Sequence, residues 1–137
     1  MKILIVTHSD SKGGGAARSA FRLHRALVDS GMDSQMLVQT KSTEDSKVIG
    51  AKSKLEKVIR FMRPFADALP VIAYKNRTKT PFSPSWLPFS GISKKINKIK
   101  PDIVHLHWIC DGMMRIEELA KIQAPVIWSL HDNWAFT

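Results

Sequence analysis

Three consecutive glycines, Gly13-Gly14-Gly15, stand between the apolar run Ile3-Leu4-Ile5-Val6 and an amphipathic stretch that begins at Ala16. Glycine loses more conformational freedom on folding than any other residue, so a run of three needs a cause. A tight turn needs one glycine; close approach of backbone to a ligand accounts for the others. Where a helix opens at such a loop, its free N–H groups and its dipole make an anion site. Arg18 would add a full charge in the first turn. The chemistry suggested is the holding of a phosphate or a sugar. A tight turn without a ligand is the alternative.

Three histidines occupy corresponding places. His8 follows the first apolar run, His107 closes "DIVHLH" and His131 closes "PVIWSL". Ligands of open parallel sheets bind outside the carboxyl ends of the strands. His8, His107 and His131 are therefore expected at one edge, beside the glycine loop, hydrogen-bonding a polar substrate. With Asp132 they could in principle bind zinc, but the groups come from separate loops and His-x-His alone is weak evidence, so no metal is expected. His105 alternates away from Val104 and Leu106 and is expected as a hydrogen-bonded core residue. His24, in the middle of a helix, is read as structural.

Other chemistries find little support. The dinucleotide fingerprint would need a third small residue where Arg18 stands, and no acid follows where Gln39-Thr40-Lys41 close the second strand. NAD is not expected, and the Gly-Lys-Ser/Thr ending of a phosphate-binding P-loop is absent. No nucleophile elbow and no hydrolase-like pair of carboxylates stands out.

Apolar periodicity supplies the elements that must position these groups. It predicts strands over 2–7, 34–39, 101–108 and 124–130, with a short strand near Val48-Ile49. It predicts helices over 16–30, 53–63, 92–99 and 113–122. Gly31 sits where a C-terminal cap belongs, Pro64 should end or kink the helix before it, and 75–90, with Pro81, Pro84 and Pro88, should be irregular. Strand, glycine loop, helix and strand form a βαβ unit, hence an α/β fold with a parallel sheet flanked by helices.

The chain has 137 residues, enough for one domain with a real core. Its single cysteine, Cys110, allows no internal disulfide and suits a reducing compartment. No stretch approaches the roughly 18 apolar residues of a spanning helix, and no signal-peptide core is evident, so a cytoplasmic location is expected. A net charge of +9 points to an anionic partner. Nucleic acid is not expected, because the basic residues do not interleave with aromatics. Helix 53–63 carries Leu55, Val58, Ile59 and Met62 on one stripe, with Lys54, Lys57, Arg60 and Arg63 off it. Either it rests with the loop "PFSPSWLPF" on the inner face of an anionic membrane, or it packs its stripe into the core and solvates its basic face.

Three stretches together resemble a known family. "GGGAARSAFRLHRALVDSGMDSQMLV", "KPDIVHLHWI" and "PVIWSLHDNWAFT" are similar to the beginning of a glycosyltransferase of the GT-B fold, family 4, most closely those that build bacterial surface polysaccharides. The similarity is weak over about residues 41–90. The resemblance implies that 1–137 is an N-terminal, acceptor-side Rossmann-like domain, truncated before a donor-binding domain with its Glu-x7-Glu-type motif. It implies a retaining hexosyltransferase acting on a nucleotide-sugar donor and a glycan or lipid-linked acceptor, with no metal and no cofactor, and a fragment inactive by itself. Gly14 and Gly15 would face the donor phosphates or the acceptor, His131 would hydrogen-bond the donor sugar, and Asp132 would contact the acceptor. A stand-alone, non-catalytic phosphate- or nucleotide-binding module is the competing reading. Trp134 and Phe136 are expected to promote self-association of the fragment.

Overall fold

Ile3, Leu4, Ile5 and Val6 are all buried because β1 (Lys2–Ser9) runs through the middle of the sheet and is covered on both faces. The computed structural model describes residues 1–75 and 82–133. After β1 come α1 (Gly14–Asp29), β2 (Asp33–Thr40), β3 (Val48–Ile49), α2 (Lys54–Ile72), α3 (Ile92–Ile99), β4 (Ile103–Leu106), a 3-10 helix at Ile116–Lys121 and β5 (Val126–Trp128). Five parallel strands lie in the order β3-β2-β1-β4-β5. Register pairs Ile5 with Met36 on one side and with His105 on the other. The winding reverses between β1 and β4, and in such sheets a crevice for ligand opens at the carboxyl ends of that pair.

Strand alternation divides the core. Leu4, Val6, Val104 and Leu106 pack with Ile96, Ile109, Met113 and Met114 on the α3 face. Ile3, Ile5, Met36 and Val38 pack with Ala20 on the α1 face. Gly31 takes φ +81° just past α1, where Met32 N–H reaches the Leu27 carbonyl and Gly31 N–H that of Val28. This is the glycine cap expected there.

Two helices differ from expectation. The stretch 113–122 forms only the short 3-10 helix, because Asp111 (φ +54°) and Gly112 (φ +67°) make a left-handed turn that sends Met113 and Met114 into the core. Pro64 does not end α2, which continues to Ile72 through Pro70 as well. Ties on both sides of Pro64 hold it. Arg60 donates to the Val38 carbonyl at 2.7 Å, and buried Asp67 accepts from Ser83 Oγ at 2.5 Å and from Trp86 N at 3.3 Å.

The orientation of α2 overturns the core-packed reading. Arg60 and Asp67 face the protein and are buried, and Leu55, Val58, Ile59 and Met62 are exposed. Residues 82–90 are irregular, as expected; Pro81, Trp134 and Phe136 lie outside the described residues. No described helix is long and apolar enough to cross a membrane.

Candidate functional site

The three glycines stand in different surroundings. A Cβ on Gly13 would stand 1.5 Å from Ser9 Oγ, so this position is fixed by packing against the end of β1. Gly14 takes φ +60°, a conformation that side chains with a Cβ rarely adopt. Gly15 meets nothing within 4 Å and is exposed. Neither packing nor backbone conformation therefore explains Gly15. It opens α1 onto solvent next to Gly14, at the carboxyl edge of the sheet, with Arg18 exposed one turn on.

Asp10 organises the next wall. It is buried and accepts from Ser42 N and Thr43 N at 2.8 Å each, from Thr43 Oγ1 at 2.9 Å and from Ser42 Oγ. Its pKa is lowered: burial works to raise it, but these donors, Ser42 foremost, outweigh burial. The loop after β2 is thereby fixed against the loop after β1. Between that loop and α2 lies a cleft of about 560 Å³, whose lining includes Lys41, Thr43, Lys57, Arg60 and Phe61. Sequence reading missed Asp10 as an anchor, since a single acid after a strand carries no spacing signal.

The three edge histidines share an edge but not a face. His8 is level with Trp108, whose carbonyl accepts from His8 N at 2.7 Å, and by alternation shares the side of Leu4 and Val6. Its Nε2 lies 3.7 Å from Asp111 Oδ2, too far for a hydrogen bond, and the ring meets Trp108 edge-on. Burial pushes His8 down and Asp111 up, so both lean toward their neutral forms despite their mutual attraction.

His107 is on the opposite side, within reach of His131. Its Nδ1 is 2.8 Å from His131 Nε2, and the rings stack at 5.0 Å with an interplanar angle of 22°. Behind His107 lies His105, 4.5 Å away between centroids and tilted by 34°, whose Nε2 pairs with Ser129 Oγ at 2.8 Å. His105 is thus hydrogen-bonded as expected, yet only half-buried, and it belongs with His107 rather than apart from it. Alternation with period two was the available signal, since residues 105 and 107 must share a face. Burial, then His105 and His131, push His107 down to about 4, so it is neutral near pH 7. Its Nε2 is buried without a hydrogen-bond partner. His131 and Asp132 are exposed beyond β5.

Two calmer positions complete the picture. His24 is fully buried, with Nδ1 2.9 Å from Ser34 Oγ, a structural role as expected. Cys110 is buried, and burial raises its thiol to about 12, which makes it unreactive. Among the described residues, no three His, Cys, Asp or Glu side chains are arranged to hold a metal ion.

The edge as a whole offers an open helix N-terminus, a stacked histidine pair aimed past β4 and β5, and a cation-lined cleft after β2. Such an arrangement can bind a polyhydroxylated, anionic molecule, with the imidazoles as hydrogen-bonding groups. A sequence model of Glycosyltransferase Family 4 matches residues 13–137, from the glycine loop through the last strand. No curated protein and no solved structure matches the chain.

Proposed function

The chain belongs to glycosyltransferase family 4, and from that premise we propose that it is the acceptor-side domain of a retaining transferase in polysaccharide synthesis. It would act with a donor-binding domain, passing a sugar from a nucleotide-sugar to a glycan or lipid-linked acceptor. The observation that carries the reading is the His107–His131 pair, poised at the carboxyl edge beside the β1/β4 switch point. His131 packs on His107 yet stays exposed, open to a ligand at that edge.

In this reading the open N-terminus at Gly14 and Gly15, with Arg18, faces phosphate oxygens of the donor. His131 hydrogen-bonds the donor sugar, and neutral His107 fixes the orientation of its ring. Asp132 contacts the acceptor. The cleft after β2 receives the acceptor's polar head through Lys57. No metal is needed, because charge on the leaving nucleotide is met by helix dipole and cations. Gly13 and His8 support the edge structurally.

The test is turnover of nucleotide-sugar by an enzyme carrying both domains, with and without His131→Ala. Loss of kcat by about a hundredfold is the scale expected for removing a donor aimed at developing charge. Unchanged kcat removes His131 from the site.

A further inference from the structure

Helix α2 is built inside out. Its inward side is polar: Arg60 donates to the Val38 carbonyl, and Arg63 donates to the Leu87 carbonyl at 3.1 Å, through two nitrogens to the Pro88 carbonyl at 3.2 Å each, and to the Gly112 carbonyl. Asp67 holds the 83–86 loop from the same side. The opposite stripe, Leu55, Val58, Met62, Phe65, Leu69 and Ile72, is exposed along its whole length. Leu55 is 70% exposed and Phe65 60%. Ile59 and Phe61 widen the stripe, and Phe61 meets Phe65 at 5.6 Å between centroids. An apolar face of this length is not left in water without an occupant.

We infer that this face docks flat onto an anionic lipid surface, with α2 lying in the plane of the headgroups. Charge selects this occupant. Lys52, Lys54, Lys57 and Lys75 are exposed at and around the ends of the stripe. The two carboxylates of α2 are turned away: Glu56 is paired with Arg60 and Lys95, and Asp67 is buried. An exposed face of lysines and apolar groups with no acid matches anionic headgroups above acyl chains. A second copy fits less well, because a two-fold contact would set the same lysines against each other. A coiled coil fits less well too, since Pro64 and Pro70 interrupt the helix and the stripe is wider than a two-position seam.

The loop tied to α2 through Asp67 also carries exposed aromatic residues. Trp86 donates Nε1–H to the Asp67 carbonyl at 3.2 Å and is itself 45% exposed, and Phe82 and Phe89 of the same segment are exposed. Aromatic rings with one polar anchor suit the headgroup level. Lys57 and Phe61 also line the cleft after β2, so docking by α2 sets that cleft at the lipid surface. The inference rests on α2 and its loop alone, independent of the transferase reading.

Vesicle flotation of the 137-residue chain tests it directly. With phosphatidylglycerol mixed into phosphatidylcholine, the chain should float, and added salt should weaken the association. Phosphatidylcholine alone should recover at least tenfold less. Met62→Glu with Phe65→Glu should abolish flotation while leaving far-UV circular dichroism unchanged, since both side chains are exposed. Lys54→Gln with Lys57→Gln should narrow the preference for anionic vesicles. Equal recovery with both vesicle types overturns the inference. So does a dimer in solution that the Glu variants dissociate while the parent chain fails to float.

Discussion

The imidazoles of His107 and His131 stack 5.0 Å apart, with Nδ1 of the first 2.8 Å from Nε2 of the second. One ring is buried and one is exposed, so the buried ring sets the angle of the outer one. Everything proposed for His131 depends on this support.

The buried ring gives a pH signature. His107 titrates at about 4 in the fold against 6.5 when unperturbed. Between these values the unfolded chain binds a proton that the folded one refuses. Its contribution to stability is full above 6.5, shrinks as pH falls through that window, and changes no further below about 4. His8, His24 and His105 are lowered too and add in the same sense. Denaturant melts across the window should show falling stability on acidification, and less so in His107→Gln. An NMR titration in which His107 protonates near its unperturbed value contradicts the assignment.

The glycines should separate by substitution. Gly13→Ala forces a Cβ into Ser9 and should destabilise by about 1–3 kcal/mol. Gly15→Ala meets open space inside a helix and should stabilise by roughly 0.5–1 kcal/mol. In an enzyme with both domains, Gly15→Ala should still raise KM for the nucleotide-sugar. Thermal melts and steady-state kinetics check the pair; a more stable Gly15→Ala with normal KM removes Gly15 from the donor site.

Asp10→Asn should loosen the loop after β2. Three donors meet one oxygen of the buried carboxylate and Ser42 Oγ meets the other, so an amide can keep the three but loses the charge that strengthens them and the acceptor for Ser42 Oγ. A loss of about 1.5–3 kcal/mol is expected, the scale for one hydrogen bond to a charged group. Hydrogen exchange should quicken at Ser42 and Thr43 first. Unchanged protection there means that the loop is held by something else.

Arg63→Ala should release both the 87–88 loop and the 111–112 turn from α2. Arg63 is the residue that joins the exposed helix to the switch-point edge. The expected cost is about 1–2 kcal/mol, since part-buried carbonyls of Leu87 and Gly112 lose a charged donor. Limited proteolysis should then cut near Phe89; no new site of cleavage contradicts the role.

How much of this was legible in the sequence follows local against tertiary control. β1 and the 92–99 helix were plain because one apolar pattern and one burial environment coincide there. Pro64 signalled an end or a kink, yet ties by Arg60, Arg63 and Asp67 carry the helix through it. The apolar stripe suited a core face or a surface-lying one, and the helix turns it outward; periodicity reports a face without saying what meets it. The 113–122 helix failed because the left-handed pair Asp111-Gly112 diverts Met113 and Met114 inward. At the edge, the histidines' shared location was readable from strand ends. Their division between two faces was readable only by alternation along β1 and β4, and the His107–His131 contact needed the register of β4 with β5.

The most direct test of the central claim is kcat for sugar transfer by the two-domain enzyme carrying His131→Ala, measured beside His131→Gln. The account predicts that kcat falls by about a hundredfold in the alanine variant and recovers in part when glutamine restores a hydrogen-bonding group. Parent-level kcat in both variants, with the fold intact, would contradict it.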